Sequence, residues 1–310
     1  MKIVIAGGSG QLGTILVRSF QADEHQVVVL SRKVIEKPWR VVYWDAQTLG
    51  AWTDELENAD VVINLAGRSV NCRYNDRNRR EIIQSRVEST RVIGQAIAQA
   101  VNPPPVWLQM STATIYAHRF DEPNDEISGI IGGSEPDVPE TWRFSIEVAK
   151  AWEQAVDESV TPKTRKVKMR SAMVMSPDKE GVFDTLLKLV KRGLGGRAGD
   201  GQQYVSWIHH EDFVRAVYRL IEDNEMEGAV NLAAPNPLPN SEFMSQLREA
   251  SGTPLGLPAT KLMLEFGAVF MRTETELILK SRRVVPKKLL DAGFSFKFET
   301  WQKAARNLCG

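Results

Sequence analysis

Cysteine is nearly absent from this chain of 310 residues: Cys72 and Cys309 are the only two. They are too few for a disulfide framework, so a reducing compartment is the natural setting. No window approaches eighteen uninterrupted apolar residues, which argues against a bilayer-spanning helix. Neither sign of charge dominates. Lys plus Arg number 39 and Asp plus Glu number 39, so no bulk field draws the chain to nucleic acid or an anionic membrane. There is no internal repeat and no low-complexity tract. The opening M-K-I-V-I-A-G-G runs straight into a strand, without the regions of a cleavable signal. These absences predict a soluble, cytoplasmic protein, monomer or homodimer, whose partner is a small molecule and not nucleic acid or membrane.

What is present is ordinary globular composition, 43% hydrophobic and 25% charged, enough for one large domain or two modest ones. Short apolar runs at 2–6, 27–30, 41–44, 61–65 and 106–110 alternate with helical stretches at 11–21, 77–100 and 142–158, and a further strand follows at 166–170. That alternation predicts right-handed βαβ crossovers and a doubly wound α/β parallel sheet covered on both faces. The second half is broken by Gly- and Pro-containing stretches between helices near 184–191, 212–221, 242–250 and 261–271, with one more strand at 230–233. The expected organisation is a Rossmann domain over 1–174, completed by 206–234. A smaller, mixed C-terminal substrate lobe would comprise 175–205 and 235–310.

The first strand runs into G-G-S-G-Q-L-G and then a helix. Gly8, Gly10 and Gly13 give G-x-G-x-x-G; Gly7, Gly10 and Gly13 give G-x-x-G-x-x-G. Glycines allow the tight turn and let a pyrophosphate approach the N–H groups at the helix start, and Gly13 would let helix and strand pack closely. The strand–glycines–helix context at the N-terminus makes a dinucleotide the expected ligand. The second strand ends V-V-V-L-S-R-K, placing Ser31, Arg32 and Lys33 where an NAD-preferring site usually carries an acid. A guanidinium suits a 2′-phosphate, which favours NADP(H).

N-L-A-G-R-S-V (64–70), S-R-V-E-S-T-R (85–91), G-L-G-G (193–196), S-W-I-H-H-E-D (206–212), N-L-A-A-P-N-P (231–237) and V-P-K-K-L-L-D-A-G-F-S-F (285–296) complete the pattern. With them the chain resembles the extended short-chain dehydrogenase/reductases, and more closely an atypical branch labelled NAD-dependent epimerase/dehydratase. The resemblance implies that Gly7, Ser9, Gly10, Gln11 and Leu12 cradle the pyrophosphate and Arg32 holds the 2′-phosphate. Asp45, ending the third strand, would lie beside the adenine. Leu65, Ala66 and Gly67 would back the ribose and nicotinamide.

The same resemblance implies a Ser or Thr, a Tyr, and a Lys four residues after the Tyr. The lysine lowers the pKa of the phenol and binds the nicotinamide ribose, and the phenol passes a proton as hydride moves. Thr112 matches the hydroxyl and Lys150 the lysine, but the tyrosine position is Ile146. Three explanations stay open. Lys150 keeps its ribose role while Tyr116, or after it Tyr74 or His209, handles the proton. The protein binds NADP(H) without turnover, as a regulator. Or Lys150 is a surface residue neutralised by Glu147 and Glu153.

Two further clusters are read as structural. The arginines between Arg73 and Arg91 alternate with Asp76, Glu81 and Glu88, as on a solvated helix face. In His209–His210–Glu211–Asp212 adjacent residues of an extended strand would point to opposite sides, so no metal site is expected, and Asp212 reads as the cap of a helix starting at Phe213. The expected activity is a carbonyl/alcohol redox step, alone or within an epimerisation.

Overall fold

The computed structural model describes residues 1–34, 36–136, 138–260, 263 and 276–310. Its strands are β1 Lys2–Ala6, β2 Gln26–Ser31, β3 Arg40–Tyr43, β4 Val61–Asn64, β5 Val106–Thr112, β6 Arg165–Ser171, β7 Met173–Met175, β8 Tyr204–Val205, β9 Trp207–His209, β10 Gly228–Leu232 and β11 Leu238–Pro239. Its helices are α1 Gln11–Ala22, α2 Asp76–Gln99, α3 Glu140–Asp157, α4 Val182–Lys191, α5 His210–Glu222, α6 Asn240–Ala250, α7 Glu276–Leu279, α8 Lys287–Asp291 and α9 Trp301–Cys309. The expected helix at 261–271 lies outside the described residues.

Seven strands form one sheet in the order β3-β2-β1-β4-β5-β6-β10, every neighbour parallel. This is the doubly wound Rossmann arrangement. Strand order reverses between β1 and β4, which opens a crevice at the carboxyl ends of the strands. Side chains alternate across the sheet, so Ile3 and Ile5 pack with α1 and α5 while Val4 and Ala6 pack toward α2. Both faces are therefore apolar, and the strands read as continuous hydrophobic runs.

Chain ends of strands are set by side chains. β4 stops at Asn64, one residue short of the expected end, because buried Asn64 turns inward and its Oδ1 accepts the Ala66 N–H at 3.0 Å. A third apolar cluster lies beyond the sheet, joining Met175, Phe183, Trp207, Phe243 and Trp301. The Phe243 and Trp301 rings stack at 4.1 Å, fixing α9 on α6. β8 and β11 pair antiparallel beside it.

Asp212 is not the helix cap predicted for it. α5 starts at His210, and its cap is His209, whose ring accepts the Glu211 N–H. Asp212 is fully buried one turn further in and accepts the backbone N–H groups of Lys297 and Phe298, both at 2.8 Å. Those partners lie some eighty residues downstream, and no local pattern announces them.

Candidate functional site

The crevice is a cleft of about 920 Å³. The glycine loop forms one wall, and three of its four glycines differ in what they permit. Gly7 adopts φ +74°, and a Cβ there would lie 2.7 Å from Ala66 Cα, so the loop crosses the end of β4 only as glycine. A Cβ on Gly13 would lie 2.3 Å from the Gly8 carbonyl oxygen, which would lift α1 off its strand. At Gly10 the nearest atom would be Gly7 O at 3.9 Å. Protein packing therefore does not require a glycine there. Gly10 also precedes α1 without a side-chain cap, so no capping side chain engages the first N–H groups of the helix, at Gln11 and Leu12.

Other lining residues include Ser9, Ser31, Arg32, Lys33, Asp45, Leu65, Ala66, Gly67, Arg68 and a face of α2. The Ser31 hydroxyl accepts the Lys33 N–H at 3.2 Å and sets the turn after β2. Arg32 is exposed at the rim and, among the described residues, makes no hydrogen bond or ion pair. Asp45 lies two residues past the end of β3, not at it. Its Oδ1 accepts the N–H groups of Gln47 and Thr48 at 2.8 Å, and the Thr48 hydroxyl donates to its Oδ2. That hydroxyl first, then the two backbone donors, holds the carboxyl below its ordinary value. Gln11 stands behind the loop, where its buried Nε2 finds no partner among the described residues and lies 2.1 Å from where a Cβ on Gly181 would be.

Thr112, Tyr116 and Lys150 do not line this cleft. Thr112 ends β5, half-buried, with its Oγ1 accepting the Thr114 N–H at 3.2 Å. Tyr116 is buried at 2% exposure. Its hydroxyl donates to Asn231 Oδ1 at 3.0 Å and accepts from Arg170 at 2.9 Å. Arg170 in turn forms a two-pronged pair with buried Glu153, both contacts 2.8 Å, and Ser111 donates to the same carboxylate. Burial raises the Tyr116 pKa against the opposing pull of Arg170. A phenol so engaged is a cross-strand tie between β5, β6 and β10, which counts against the proton-donor role expected for it.

The register of α3 also differs from expectation. Ala149 packs on Ala113, Ile115 and Tyr116 at the mouth of β5, and Ser145 donates to Glu276 behind it. The pair four residues apart that faces this mouth is thus Ser145 and Ala149. Ile146 is fully buried against the loop at Gly132 and Gly133. Lys150 is exposed, directed to Gly133, and makes no hydrogen bond or ion pair among the described residues. It is not neutralised by Glu153, which belongs to Arg170. Replacing Lys150 by Met is expected to change NADPH affinity by less than about twofold, well under the tenfold that 1.4 kcal/mol represents. A fluorescence titration showing a larger loss would return Lys150 to the cofactor.

The histidine cluster gathers more closely than an extended strand would allow, because α5 begins at His210. Donor atoms of His209, His210 and Glu211 lie within 4.8 Å of one another. His209 has no lone pair to offer, however. Its Nδ1 accepts the Glu211 N–H at 3.2 Å, so its Nε2 carries the hydrogen and donates to Asn307 Oδ1 at 3.1 Å. Burial and the neighbouring His210 lower its pKa to about 4. On α2, Arg77 and Arg68 pair with Glu81, Arg79 with Glu140 and Arg91 with Glu158. Arg77 and Arg91 are solvated as expected, but Arg86 is not: it lies over the Trp152 ring at 4.9 Å and donates to the Arg68 and Ile82 carbonyls, both at 3.0 Å.

The residues that sequence reasoning missed sit at the mouth of β5: Thr114, Ser145, Glu276, Lys280 and Arg282. Lys280 donates to the Thr114 carbonyl and Arg282 to the Thr114 hydroxyl. Nothing in K-S-R-R at 280–283 signals that contact, which spans more than 160 residues.

An open parallel sheet whose switch-point crevice carries an uncapped glycine loop defines a dinucleotide-binding Rossmann protein. Residues 3–233 match the family model described as the NAD dependent epimerase/dehydratase family, and 260–308 match a domain of unknown function. The chain belongs to the NAD dependent epimerase/dehydratase family. It is 30% identical over 302 residues to bovine epimerase family protein SDR39U1, covering 96% of each chain. It is 29% identical over 311 residues to the epimerase family protein YfhF of Bacillus subtilis (strain 168), covering 99% of this chain and 98% of that one. The crystal structure of human epimerase family protein SDR39U1 (isoform2) with NADPH superposes with a TM-score of 0.87 at 27% identity, over 100% of this chain and 99% of the other. UDP-N-acetylglucosamine 4-epimerase from Bacillus cereus shares the fold, with a TM-score of 0.76 at 16% identity over 100% of this chain and 98% of that one. No helix among the described residues is long and apolar enough to cross a membrane.

Proposed function

We propose that this chain is an NADP(H)-dependent oxidoreductase or epimerase acting on a small, sugar-like carbonyl or alcohol. The observation that carries the reading is Gly10, a glycine that packing does not need, at the uncapped start of α1 in the switch-point crevice. Gly7, Ser9 and Gly10, with the N–H groups of Gln11 and Leu12, would hold the pyrophosphate, and Gly13 keeps α1 close enough for them to reach it. Ser31 and Arg32 would take the 2′-phosphate, Asp45 would border the adenine, and Leu65, Ala66 and Gly67 would back the ribose and nicotinamide. The bound nicotinamide would donate or accept hydride. The human relative crystallised with NADPH supports the phosphorylated form, although another protein of the fold was solved with UDP-glucose and NAD. Residues 175–205 and 235–310 would shape the substrate lobe over the crevice.

Arg32 decides between the two cofactors. Arg32→Ala should weaken NADPH at least about tenfold, 1.4 kcal/mol, and leave NADH nearly unchanged. Equal losses for both, in paired fluorescence titrations, would remove the 2′-phosphate from the reading.

A second reading is a regulator that binds NADPH without turnover. It is favoured by the missing phenol: whether the tyrosine position is Ile146 by sequence or Ser145 by facing, neither side chain is a phenol, and the Tyr116 hydroxyl is engaged elsewhere. NADPH deuterated at C4, in each stereochemistry, incubated with the protein and a small-molecule cell extract separates the two. Label appearing on a metabolite identifies an oxidoreductase, and tight NADPH binding with no label moved favours the regulator once internal hydride recycling is tested with candidate sugars.

A further inference from the structure

A carbonyl that gains a hydride develops negative charge on its oxygen, and α3 brings no phenol to meet it. The C-terminal segment brings charge to the same place. Arg282 Nε donates to Thr114 Oγ1 at 3.1 Å, and Lys280 Nζ donates to the Thr114 carbonyl at 2.7 Å. Glu276 pairs with Arg282 at 3.3 Å and accepts the Ser145 hydroxyl, which ties the segment to α3. Thr114 is half-buried in the turn two residues past the carboxyl end of β5, outside the cofactor cleft but at the edge of the sheet at which open parallel sheets bind their ligands. Because its oxygen accepts from Arg282, its hydrogen is directed to another acceptor, and none among the described residues takes it.

We propose that Thr114 is the hydroxyl that holds the substrate oxygen, and that Arg282 and Lys280, acting through it, supply the positive field that a tyrosine–lysine pair would otherwise supply. The C-terminal region, which matches the model of a domain of unknown function, then carries the charged half of the active site. The inference rests on the nicotinamide reading above. In the reductive direction the carbonyl carbon gains a hydride from the dihydronicotinamide, and the C=O π pair moves to the oxygen. The Thr114 hydrogen bond, with two cations behind it, stabilises that alkoxide until water protonates it. Thr114 is the catalytic residue here; Lys280 and Arg282 are positioning residues.

Lys280 makes the idea testable through pH. It is 1% exposed, and no carboxylate pairs with it among the described residues. Burial, then Arg282, lowers its pKa to about 8, while Glu276 and Glu135 oppose the shift. His118, whose Nδ1 accepts the Ser281 N–H, is kept below its ordinary value by burial, and Tyr74 lies close enough to Arg282 to act on its charge. The field at Thr114 is therefore complete below about pH 8 and fades above it, in a range where His118 no longer titrates.

Acetate is a stand-in for the alkoxide. Calorimetric titration of acetate into the full chain loaded with NADP+ should show saturable binding, on the order of 1 mM. Thr114→Val and Lys280→Met should each weaken acetate at least tenfold while NADP+ affinity and melting temperature hold. Between pH 7 and 9 the wild type should lose acetate affinity and Lys280→Arg should keep it. No saturable binding by the wild type, or equal affinity in Thr114→Val, overturns the proposal. A flat pH profile in the wild type overturns the part given to Lys280. If NADP+ itself fails to bind, the nicotinamide reading falls instead.

Discussion

Replacing Gly10 by Val should weaken NADPH binding at least about 100-fold, near 2.8 kcal/mol, without lowering the melting temperature. Gly10 has φ −79° and ψ 178°, a conformation open to any L-residue, so the backbone is not strained by the change. A Cβ there would meet no atom nearer than Gly7 O at 3.9 Å, and Gly10 lines the cleft. The side chain would occupy the path by which a pyrophosphate reaches the N–H groups at the start of α1. Gly13→Ala is the control of opposite character. Its Cβ would press on the backbone of Gly8 at 2.3–2.5 Å, so it should cost stability first and binding as a result. Fluorescence titration with NADPH and a thermal melt on both variants separate ligand space from packing space. Tight NADPH binding by Gly10→Val would remove the pyrophosphate from this loop.

The second large effect concerns the pair between β6 and α3. Glu153→Leu should destabilise the fold by about 3–5 kcal/mol, because it leaves the Arg170 guanidinium buried without its carboxylate. Arg170 is 9% exposed and Glu153 6%, so water cannot make good the loss. The double variant Glu153→Leu, Arg170→Met should recover most of the stability, since an apolar pair of similar volume avoids desolvating two charges. Urea denaturation of the three proteins measures both steps. A loss below about 1 kcal/mol in the single variant would show the pair to be solvated in the native state.

Fold and cofactor cleft were legible because their determinants are local. Apolar runs alternating with helical stretches encode a parallel sheet, and the spacing of Gly7, Gly10 and Gly13 encodes a tight βα turn. The mouth of β5 was not legible. The rule that residues four apart share a helix face is met equally by Ile146 with Lys150 and by Ser145 with Ala149, and a helix turns about 100° per residue. Which pair faces the sheet is decided by what α3 docks against: Ala113, Ile115 and Tyr116 on one side and Glu276 on another. The same holds for Asp212, whose backbone partners at Lys297 and Phe298 are remote in sequence, and for Tyr116, whose hydroxyl is taken by side chains from β6 and β10. Periodicity locates a helix; long-range contacts rotate it.

β10 also bears on how this protein is made. It pairs with β6 at one edge of the sheet, yet it is encoded at Gly228–Leu232, some sixty residues after its partner. During synthesis β6 therefore waits as an open edge until more than two-thirds of the chain has left the ribosome, and such an edge invites pairing with other nascent chains. Asn231, which takes the Tyr116 hydroxyl, arrives with that strand. A chain cut after β6 would carry the whole glycine loop with β6, in place of β10, as its open edge.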